Sequence, residues 1–215
     1  MTGAVYVEHF GYDARSRLIS ASDLVFTNNE CRLDLIVSNR YDHIGRRVKK
    51  ITREYEITFF YDGWNLIEER IAYTNGTTST INYYWGKDLS GTLQGAGGVG
   101  GLLYLTVSNS QLPTYNLQLF IPCYDNNGNI TRYLDASGNT VAHYVYDAFG
   151  NLLDKSGSMC DTFRHRFSTK YFDAETGLYY YGYRYYCPWL MRWLNRDPIE
   201  EEGGGKRSGY ETRNF

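Results

Sequence analysis

The residue types that most often do chemistry in proteins are thinly spread along this sequence of 215 residues. The histidines lie far apart, so no pair has the spacing of metal ligands within one element. They are His9, His43, His143 and His165. The cysteines form no C-x-x-C motif, and we interpret them as buried or incidental thiols. They are Cys31, Cys123, Cys160 and Cys187. No serine or cysteine lies in a recognisable nucleophile turn. The sequence therefore predicts neither a metal site nor a cofactor.

Two further patterns resemble sites but favour simpler interpretations. The segment GAGGVG at 95–100 matches G-x-G-x-x-G, yet a nucleotide site needs a strand before it and a helix after it. Its flanks are Tyr-rich strand segments, so we predict a flexible loop within a glycine-rich connection at 86–101. His165 lies between two arginines in FRHRF at 163–167, which is a poor setting for a cation and predicts a charged strand face.

Composition excludes several classes of protein. The net charge of −2 gives no electrostatic reason to expect nucleic acid as a partner. No stretch of 18 apolar residues is present, so we predict no membrane span. The first residues, MTGAVYVEHFGYDARS, lack the basic and apolar regions of a signal peptide. Hydrophobic residues make up 42% of the chain, which is enough for a packed core, and tyrosine is the outlier with 22 copies.

A Tyr-Asp dipeptide followed by a turn recurs along the chain. The copies begin at Tyr12, Tyr41, Tyr61, Tyr124 and Tyr146, and degenerate copies lie at 133–135 and 172–173. The fullest form is YDAFGNLL at 146–153. In each unit an aromatic residue ends a strand, Asp caps the turn, and Gly-Asn tolerates positive φ. A second strand follows, in which apolar and polar residues alternate.

These units predict an all-β protein made of antiparallel β-hairpin repeats. A single hairpin cannot bury its apolar face alone, so neighbouring hairpins must stack. We expect a curved, open strip that exposes sheet edges. The segment GLYYYGYRYY at 177–186 is predicted to be one aromatic strand with two tyrosine-bearing faces. Its tyrosines favour cross-strand packing; the alternative is a stacking platform that binds carbohydrate.

The Tyr-Asp units and the segment FSTKYFDAETGLYYYGYRYYCPWLMRWLNRDPIEEEGG at 167–204 closely resemble rearrangement-hotspot (RHS) proteins. That family shares its Tyr-Asp (YD) repeat shell with insecticidal toxin-complex C subunits and teneurins. The resemblance implies hairpin repeats over 1–166, the RHS core C-terminal motif over 167–204 and a divergent tail over 205–215. It also implies a hollow shell that encloses a C-terminal toxin or effector, and a secreted or cell-surface location.

The resemblance further implies self-cleavage by an aspartyl-protease-like reaction, in which Arg196 and Asp197 match the family's Arg-Asp pair. Such a reaction needs two carboxyl groups close together. The alternative is that Asp197 caps a turn before Pro198. The sequence departs from the family pattern at Cys187 and Met191, the latter at a position that is commonly Gly. After Gly204 it lacks the second D-P-x-G-L motif, where cleavage occurs.

Two functions follow from these features, with a third on the tyrosine surface. The first is a structural module of the shell, whose partners are the rest of the shell and the enclosed effector. The second is a fragment of a self-cleaving core, inactive here because its site is incomplete. The third is a carbohydrate-binding surface. Whether the chain is an enzyme stays open at this point, and the incomplete site argues against it.

Overall fold

The computed structural model describes residues 5–26, 31–109 and 117–195, with side chains described from residue 9 to 25 in the first range and from residue 32 in the second. Twelve antiparallel strands form one sheet in which each strand pairs with the next along the chain. They are β1 (Val5–Tyr12), β2 (Leu18–Phe26), β3 (Cys31–Tyr41), β4 (Arg47–Thr52), β5 (Tyr55–Asp62), β6 (Asn65–Tyr73), β7 (Thr78–Trp85), β8 (Leu102–Asn109), β9 (Gln118–Tyr124), β10 (Ile130–Asp135), β11 (Thr140–Tyr146) and β12 (Leu152–Ser156).

A second, four-stranded antiparallel sheet follows. Its strands are β13 (Tyr171–Asp173), β14 (Leu178–Tyr180), β15 (Tyr185–Cys187) and β16 (Arg192–Trp193). Within the three described ranges the only helical element is a single 3-10 turn at Phe167–Thr169, so no helix there has the length or apolar character to cross a membrane. The all-β prediction is confirmed.

The turns headed by Asp share one geometry. In the turn after Tyr146, Asp147 Oδ1 accepts hydrogen bonds from the backbone N–H of Phe149 (2.8 Å) and Asn151 (2.9 Å). Gly150 has a φ of 86°, a left-handed conformation that favours glycine. Equivalent carboxylate bonds occur in the turns that begin at Asp13, Asp42, Asp125 and Asp135. The predicted Asp caps are therefore confirmed at these turns.

The return strand of each such hairpin contains one extra residue. Tyr41 lies opposite Arg47, whereas Arg40 lies opposite Lys49, so Val48 forms a bulge. The same register shift occurs beside Tyr12, Tyr61, Trp85, Tyr124 and Tyr146. In a regular strand, side chains on the same face are two residues apart. The bulge increases the spacing between the first two buried side chains of the return strand to three residues, as in the pair Leu102 and Leu105. This differs from the predicted alternation, because the alternation assumed a regular pleat.

A ladder of hydrogen bonds joins consecutive hairpins. In each step the aromatic side chain that ends one strand donates to the backbone carbonyl of a residue that begins the return strand of the preceding hairpin. The steps of this repeat ladder are Tyr41 to Leu18 (2.7 Å), Tyr61 to Arg47 (2.8 Å), Trp85 to Leu66 (2.7 Å), Tyr124 to Leu102 (2.6 Å) and Tyr146 to Ile130 (2.9 Å). The Tyr of the Tyr-Asp motif is therefore a donor as well as a packing group.

Two units depart from the common turn. After Tyr61 the hairpin closes with the two residues Gly63 and Trp64, and Gly63 has a φ of 56°. The amide of Gln94 binds this turn, because its Oε1 accepts from Trp64 N–H (3.0 Å) and its Nε2 donates to the Asp62 carbonyl (3.1 Å). After Trp85 the turn expands into the glycine-rich segment 86–101.

The glycine-rich segment is an ordered loop built around Asp88, which is 5% exposed. The Asp88 carboxylate accepts hydrogen bonds from the backbone N–H of Ser90 (2.9 Å), Ala96 (2.7 Å) and Gly98 (3.1 Å). The predicted loop is present, and its flexibility stays a prediction. Asp88 supplies the same carboxylate capping as the Tyr-Asp turns, at a position the dipeptide search could not find.

One face of the large sheet is buried beneath the residues that follow β12. The core joins side chains of the sheet, such as Ile57, Leu105 and Tyr133, to Phe163 and Leu178 of the following segment. Within the described residues β1 and β12 are the end strands, each paired on one side. The sheet is thus an open strip, as predicted.

The repeat ladder predicts a cost for removing a phenolic hydroxyl. Tyr124→Phe and Tyr146→Phe should each lower the free energy of unfolding by about 1–3 kcal/mol, because each leaves a buried carbonyl without its donor. Tyr84→Phe is the matched control, since Tyr84 is 41% exposed on the other face and stacks on Tyr104. Urea denaturation measures all three. Equal stabilities for Tyr84→Phe and the two ladder variants would contradict the role of the hydroxyls.

Candidate functional site at the seam between the two sheets

Residues 157–195, the C-terminal block, lie against the buried face of the strip and form a seam with it. The block contacts the turns of the strip through its 3-10 turn. Thr169 Oγ1 donates to the Gly128 carbonyl (2.8 Å) and accepts from Gly100 N–H (2.8 Å). Ser168 N–H donates to Asn129 Oδ1 (2.8 Å). Thr169 thus joins the glycine-rich loop to the turn that follows Tyr124.

A buried cluster of charges forms the centre of the seam. The Arg47 guanidinium binds Asp173, and the Lys50 ammonium binds Asp173 (2.8 Å) and Glu175 (3.0 Å). Arg47 and Lys50 come from β4, whereas Asp173 ends β13. The three side chains of Arg47, Lys50 and Asp173 are at most 5% exposed. Such a cluster fixes how the two parts meet, since separating them would leave buried charges unpaired.

Arg47 occupies a position that is apolar in the other hairpins whose return strands accept a bond of the repeat ladder. The equivalent residues at the start of the return strand are Leu18, Leu66, Leu102 and Ile130. The guanidinium is accommodated because it lies 4.6–5.0 Å from the ring centroids of Phe59, Tyr171 and Tyr180. The repeat therefore changes its residue type where the C-terminal block docks.

The electrostatics of the cluster favour ionised side chains. Burial by itself would raise the pKa of Asp173, but the charges and hydrogen bonds of Arg47 and Lys50 lower it to about 2. The same attraction raises the pKa of Arg47 well above its ordinary value, against the effect of burial. Arg47 and Asp173 are thus held as an ion pair at the centre of the seam.

Tyrosine hydroxyls continue the seam on both sides of the charges. Tyr185 Oη lies 3.0 Å from Tyr41 Oη and accepts from the Arg47 guanidinium (3.2 Å). Tyr180 Oη accepts from the backbone N–H of Arg47 (2.8 Å). The C-terminal block therefore binds the first step of the repeat ladder through Tyr41.

Glu69 is a second buried acid at the seam, and it is 0% exposed. Its carboxyl group accepts hydrogen bonds from the hydroxyls of Tyr83 and Tyr171 (3.1 Å for Tyr171). Burial raises the pKa of Glu69 above its ordinary value, and the hydrogen bonds from Tyr83 and Tyr171 and the charges of Arg164 and Lys50 oppose that shift. One tyrosine of the strip and one of the block thus meet at a single carboxyl group.

The segment FRHRF does not form a charged strand face, so that prediction was wrong. His165 and Arg166 are 4% and 3% exposed. Arg166 is stabilised by the carbonyls of Phe163 (3.0 Å) and Cys160 (2.9 Å). Burial, together with the charge of Lys170, lowers the pKa of His165 to about 3, so its imidazole is neutral.

The predicted single strand at 177–186 is instead a hairpin. Tyr181 N–H donates to the Arg184 carbonyl (2.9 Å), and Gly182 has a φ of 88°, so the chain turns between β14 and β15. Tyr180 then lies opposite Tyr185, with ring centroids 5.3 Å apart. The tyrosines therefore pack across strands, and the turn explains why their alternation does not define two faces.

The residues predicted to be catalytic, Arg196 and Asp197, lie outside the described residues, and their role in self-cleavage stays a prediction. Two positions that depart from the RHS pattern lie just before them. Met191 has a φ of 56°, a conformation that favours glycine. Cys187 is 0% exposed and pairs in register with Arg192.

Comparison with known proteins agrees with this architecture. The model of the RHS Repeat family matches residues 124–156. The tRNA3(Ser)-specific nuclease WapA of Bacillus spizizenii is 32% identical over 177 residues, which is 80% of this chain and 7% of that protein. The toxin subunit YenC1 of Yersinia entomophaga is 38% identical over 79 residues, 35% of this chain and 8% of that protein. This chain is an RHS/YD-repeat protein.

A solved structure of similar fold is the crystal structure of TcdB2-TccC3-TEV, with a TM-score of 0.69 and 23% identity. The match covers 89% of this chain and 9% of that one. The RHS/YD-repeat chain thus spans a small part of the length of the proteins it matches. Its fold is that of an RHS-repeat module.

Sequence reasoning missed Arg47, Lys50 and Glu69, although a signal was present. When the RHS/YD-repeat units are aligned by their turns, Arg47 stands where the units that begin at Tyr12, Tyr61, Tyr124 and Tyr146 have Leu or Ile. A charged residue at a position that the repeat buries predicts a partner of opposite charge elsewhere in the chain. The partner, Asp173, was assigned to a degenerate turn. The turn is present, but its carboxylate binds β4.

Replacing Arg47 with the residue typical of the repeat should destabilise the protein. Arg47→Leu should lower the free energy of unfolding by about 3–5 kcal/mol, because it leaves Asp173 buried with Lys50 as its remaining cation. The further substitution Asp173→Asn should lower the free energy of unfolding much less in the Arg47→Leu variant than in the wild type. Lys49→Leu is the control, since Lys49 pairs with Glu56 near the surface and should change stability by about 1 kcal/mol or less. Additive effects of Arg47→Leu and Asp173→Asn in urea denaturation would contradict the coupling.

His165 predicts a loss of stability in mild acid. Its pKa of about 3 in the folded protein lies below the ordinary 6.5, so the unfolded chain binds more protons between these values. Stability should therefore fall as the pH drops from 6.5, by about 1.4 kcal/mol per pH unit from this group. His165→Phe should remove that slope, whereas His43→Phe, at an exposed position, controls for the loss of an imidazole. Parallel stability curves for the wild type and His165→Phe between pH 6.5 and 4.5 would contradict this role.

Proposed function

We propose that this chain forms part of the wall of a hollow shell, and that the shell encloses a toxin or effector segment of a longer protein. The observation that carries the proposal is the open strip itself. Its hairpins are joined by the repeat ladder, and its end strands β1 and β12 each pair on one side within the described residues. A strip of this kind is suited to continue into further hairpins.

The seam supports the same function. One face of the strip is covered by the C-terminal block, and the buried charges of Arg47, Lys50 and Asp173 allow one arrangement of the two. A wall needs this specificity where the block that follows β12 folds back onto the strip. The charge cluster contributes it by joining β4 to β13.

The similar proteins support an association with toxins. WapA of Bacillus subtilis is a tRNA nuclease and is 33% identical over 177 residues, while YenC1 is a toxin subunit. This chain matches 7% and 8% of those proteins. We therefore place the activity in a segment other than this one, and assign to this chain the enclosure of that segment.

A segment exchange tests enclosure. The matched segment of Bacillus subtilis WapA is replaced with residues 5–195 of this chain, and the chain that follows the exchanged segment is monitored by limited proteolysis. We expect that chain to resist trypsin as long as it does in unmodified WapA. A deletion variant of WapA that lacks the segment altogether should be digested at least tenfold faster. A folded exchange protein whose following chain is digested as fast as in the deletion variant would overturn the proposal.

A further inference from the structure

A cavity of about 300 Å³ lies at the seam, between the Gly63–Trp64 turn and the β14–β15 turn. Its walls are largely aromatic and come from both parts of the protein. Phe59, Trp64 and Trp85 belong to the strip, whereas Tyr171, Tyr181 and Tyr183 belong to the C-terminal block. The volume is at the lower end of the range for small-molecule sites, which accommodates one aromatic ring with its substituents.

The charges at the cavity are of one sign. Arg47 and Lys170 line it, and no Asp or Glu does so among the described residues. Asp173 neutralises Arg47 from behind the wall. Lys170 Nζ donates one hydrogen bond to the Gly97 carbonyl and lies 5.3 Å from the ring centroid of Tyr181. An ammonium group can donate three hydrogen bonds, so Lys170 retains donors for an acidic group in the cavity.

Two buried nitrogen atoms of lining residues have no hydrogen-bond partner among the described residues. They are Arg47 Nε and His165 Nδ1. Both side chains are at least nine-tenths buried. Buried polar atoms are normally satisfied, so unsatisfied ones beside a cavity indicate a missing partner. Arg47 Nε is a donor that requires an acceptor, as does the Lys170 ammonium.

Two exposed aromatic side chains of the cavity wall contact each other. The rings of Trp64 and Tyr183 have centroids 4.4 Å apart, and these residues are 36% and 51% exposed. One belongs to a turn of the strip and the other to the β14–β15 turn of the C-terminal block. Both side chains line the cavity, so each can contact a ligand held there.

We propose that this cavity binds a small planar aromatic carboxylate, with the ring between the aromatic walls and the carboxylate facing Lys170 and Arg47. The aromatic walls fit the faces of a ring. The carboxylate supplies acceptors for Arg47 Nε and the Lys170 ammonium. It also gives Lys170 an anionic partner inside the cavity, in addition to the charge of Asp88 behind the wall. A cationic ring is disfavoured by the same two cations. A neutral ring of the same shape fits the walls but offers Lys170 no ionic partner inside the cavity.

Binding of benzoate and 4-hydroxybenzoate to the full chain, followed by two-dimensional NMR of the tryptophan indole N–H groups, tests this site. We expect the signals of Trp64 and Trp85 to shift with saturation, and those of Trp189 and Trp193, which do not line the cavity, to stay in place. Benzamide should bind at least tenfold more weakly, and benzylamine should not bind. Equal binding of benzamide, tighter binding of benzylamine or of methyl glucoside, or no saturable shift with benzoate would each overturn the proposal.

Lys170→Gln should weaken benzoate binding about tenfold while the affinity for benzamide stays within twofold. Lys87→Gln is the matched control, because Lys87 is exposed and does not line the cavity. An unchanged affinity for benzoate in a folded Lys170→Gln variant would contradict the assigned role of the ammonium group. If that variant fails to fold, the comparison of benzoate, benzamide and benzylamine on the wild type decides the question.

Discussion

The hydrogen bond from a strand-ending aromatic side chain to the carbonyl of the preceding hairpin is the interaction on which the strip depends. Backbone hydrogen bonds join adjacent strands. They do not by themselves fix the turn of one hairpin against the turn of the next. The bond from Tyr146 to Ile130, repeated in the other steps of the ladder, fixes each hairpin against its neighbour at the margin that carries the turns. It explains why the motif needs Tyr, since Phe would pack without donating.

The bulges and the ladder work together. The carbonyl that accepts the bond lies at the start of the return strand, directly before the extra residue. Without the bulge, the buried positions of the return strand would be two residues apart. The residue three positions after the first buried one, such as Leu105 or Tyr133, would then point to the other face. The core is thus set by the same local irregularity that positions the acceptor.

Much of the fold could be predicted from the sequence because the turn chemistry is local. Asp147, Gly150 and Asn151 define their hairpin through contacts within five residues. Two kinds of feature were not predictable in this way. Trp85 replaces Tyr in the ladder, so a search for Tyr-Asp missed that unit. The turn at Gly182 divides a segment whose tyrosines suggest one continuous strand.

The seam was the least predictable part, because its residues are distant in the sequence. Arg47 and Asp173 are 126 residues apart, and no local pattern links them. Their buried pairing contributes more to the choice of one arrangement than to net stability, since desolvation offsets much of the attraction. The charged residues of the seam are therefore distinguished by their burial and not by a sequence motif.

The position of the bulges has a consequence for the shape that longer strips adopt. A bulge increases the local right-handed twist of the strand that contains it. Beside the turns at Tyr12, Tyr41, Tyr61, Trp85, Tyr124 and Tyr146 the extra residues fall along one margin of the sheet. Twist added repeatedly along a single margin makes a ribbon coil in one sense. The number of hairpins then determines how far the ribbon winds.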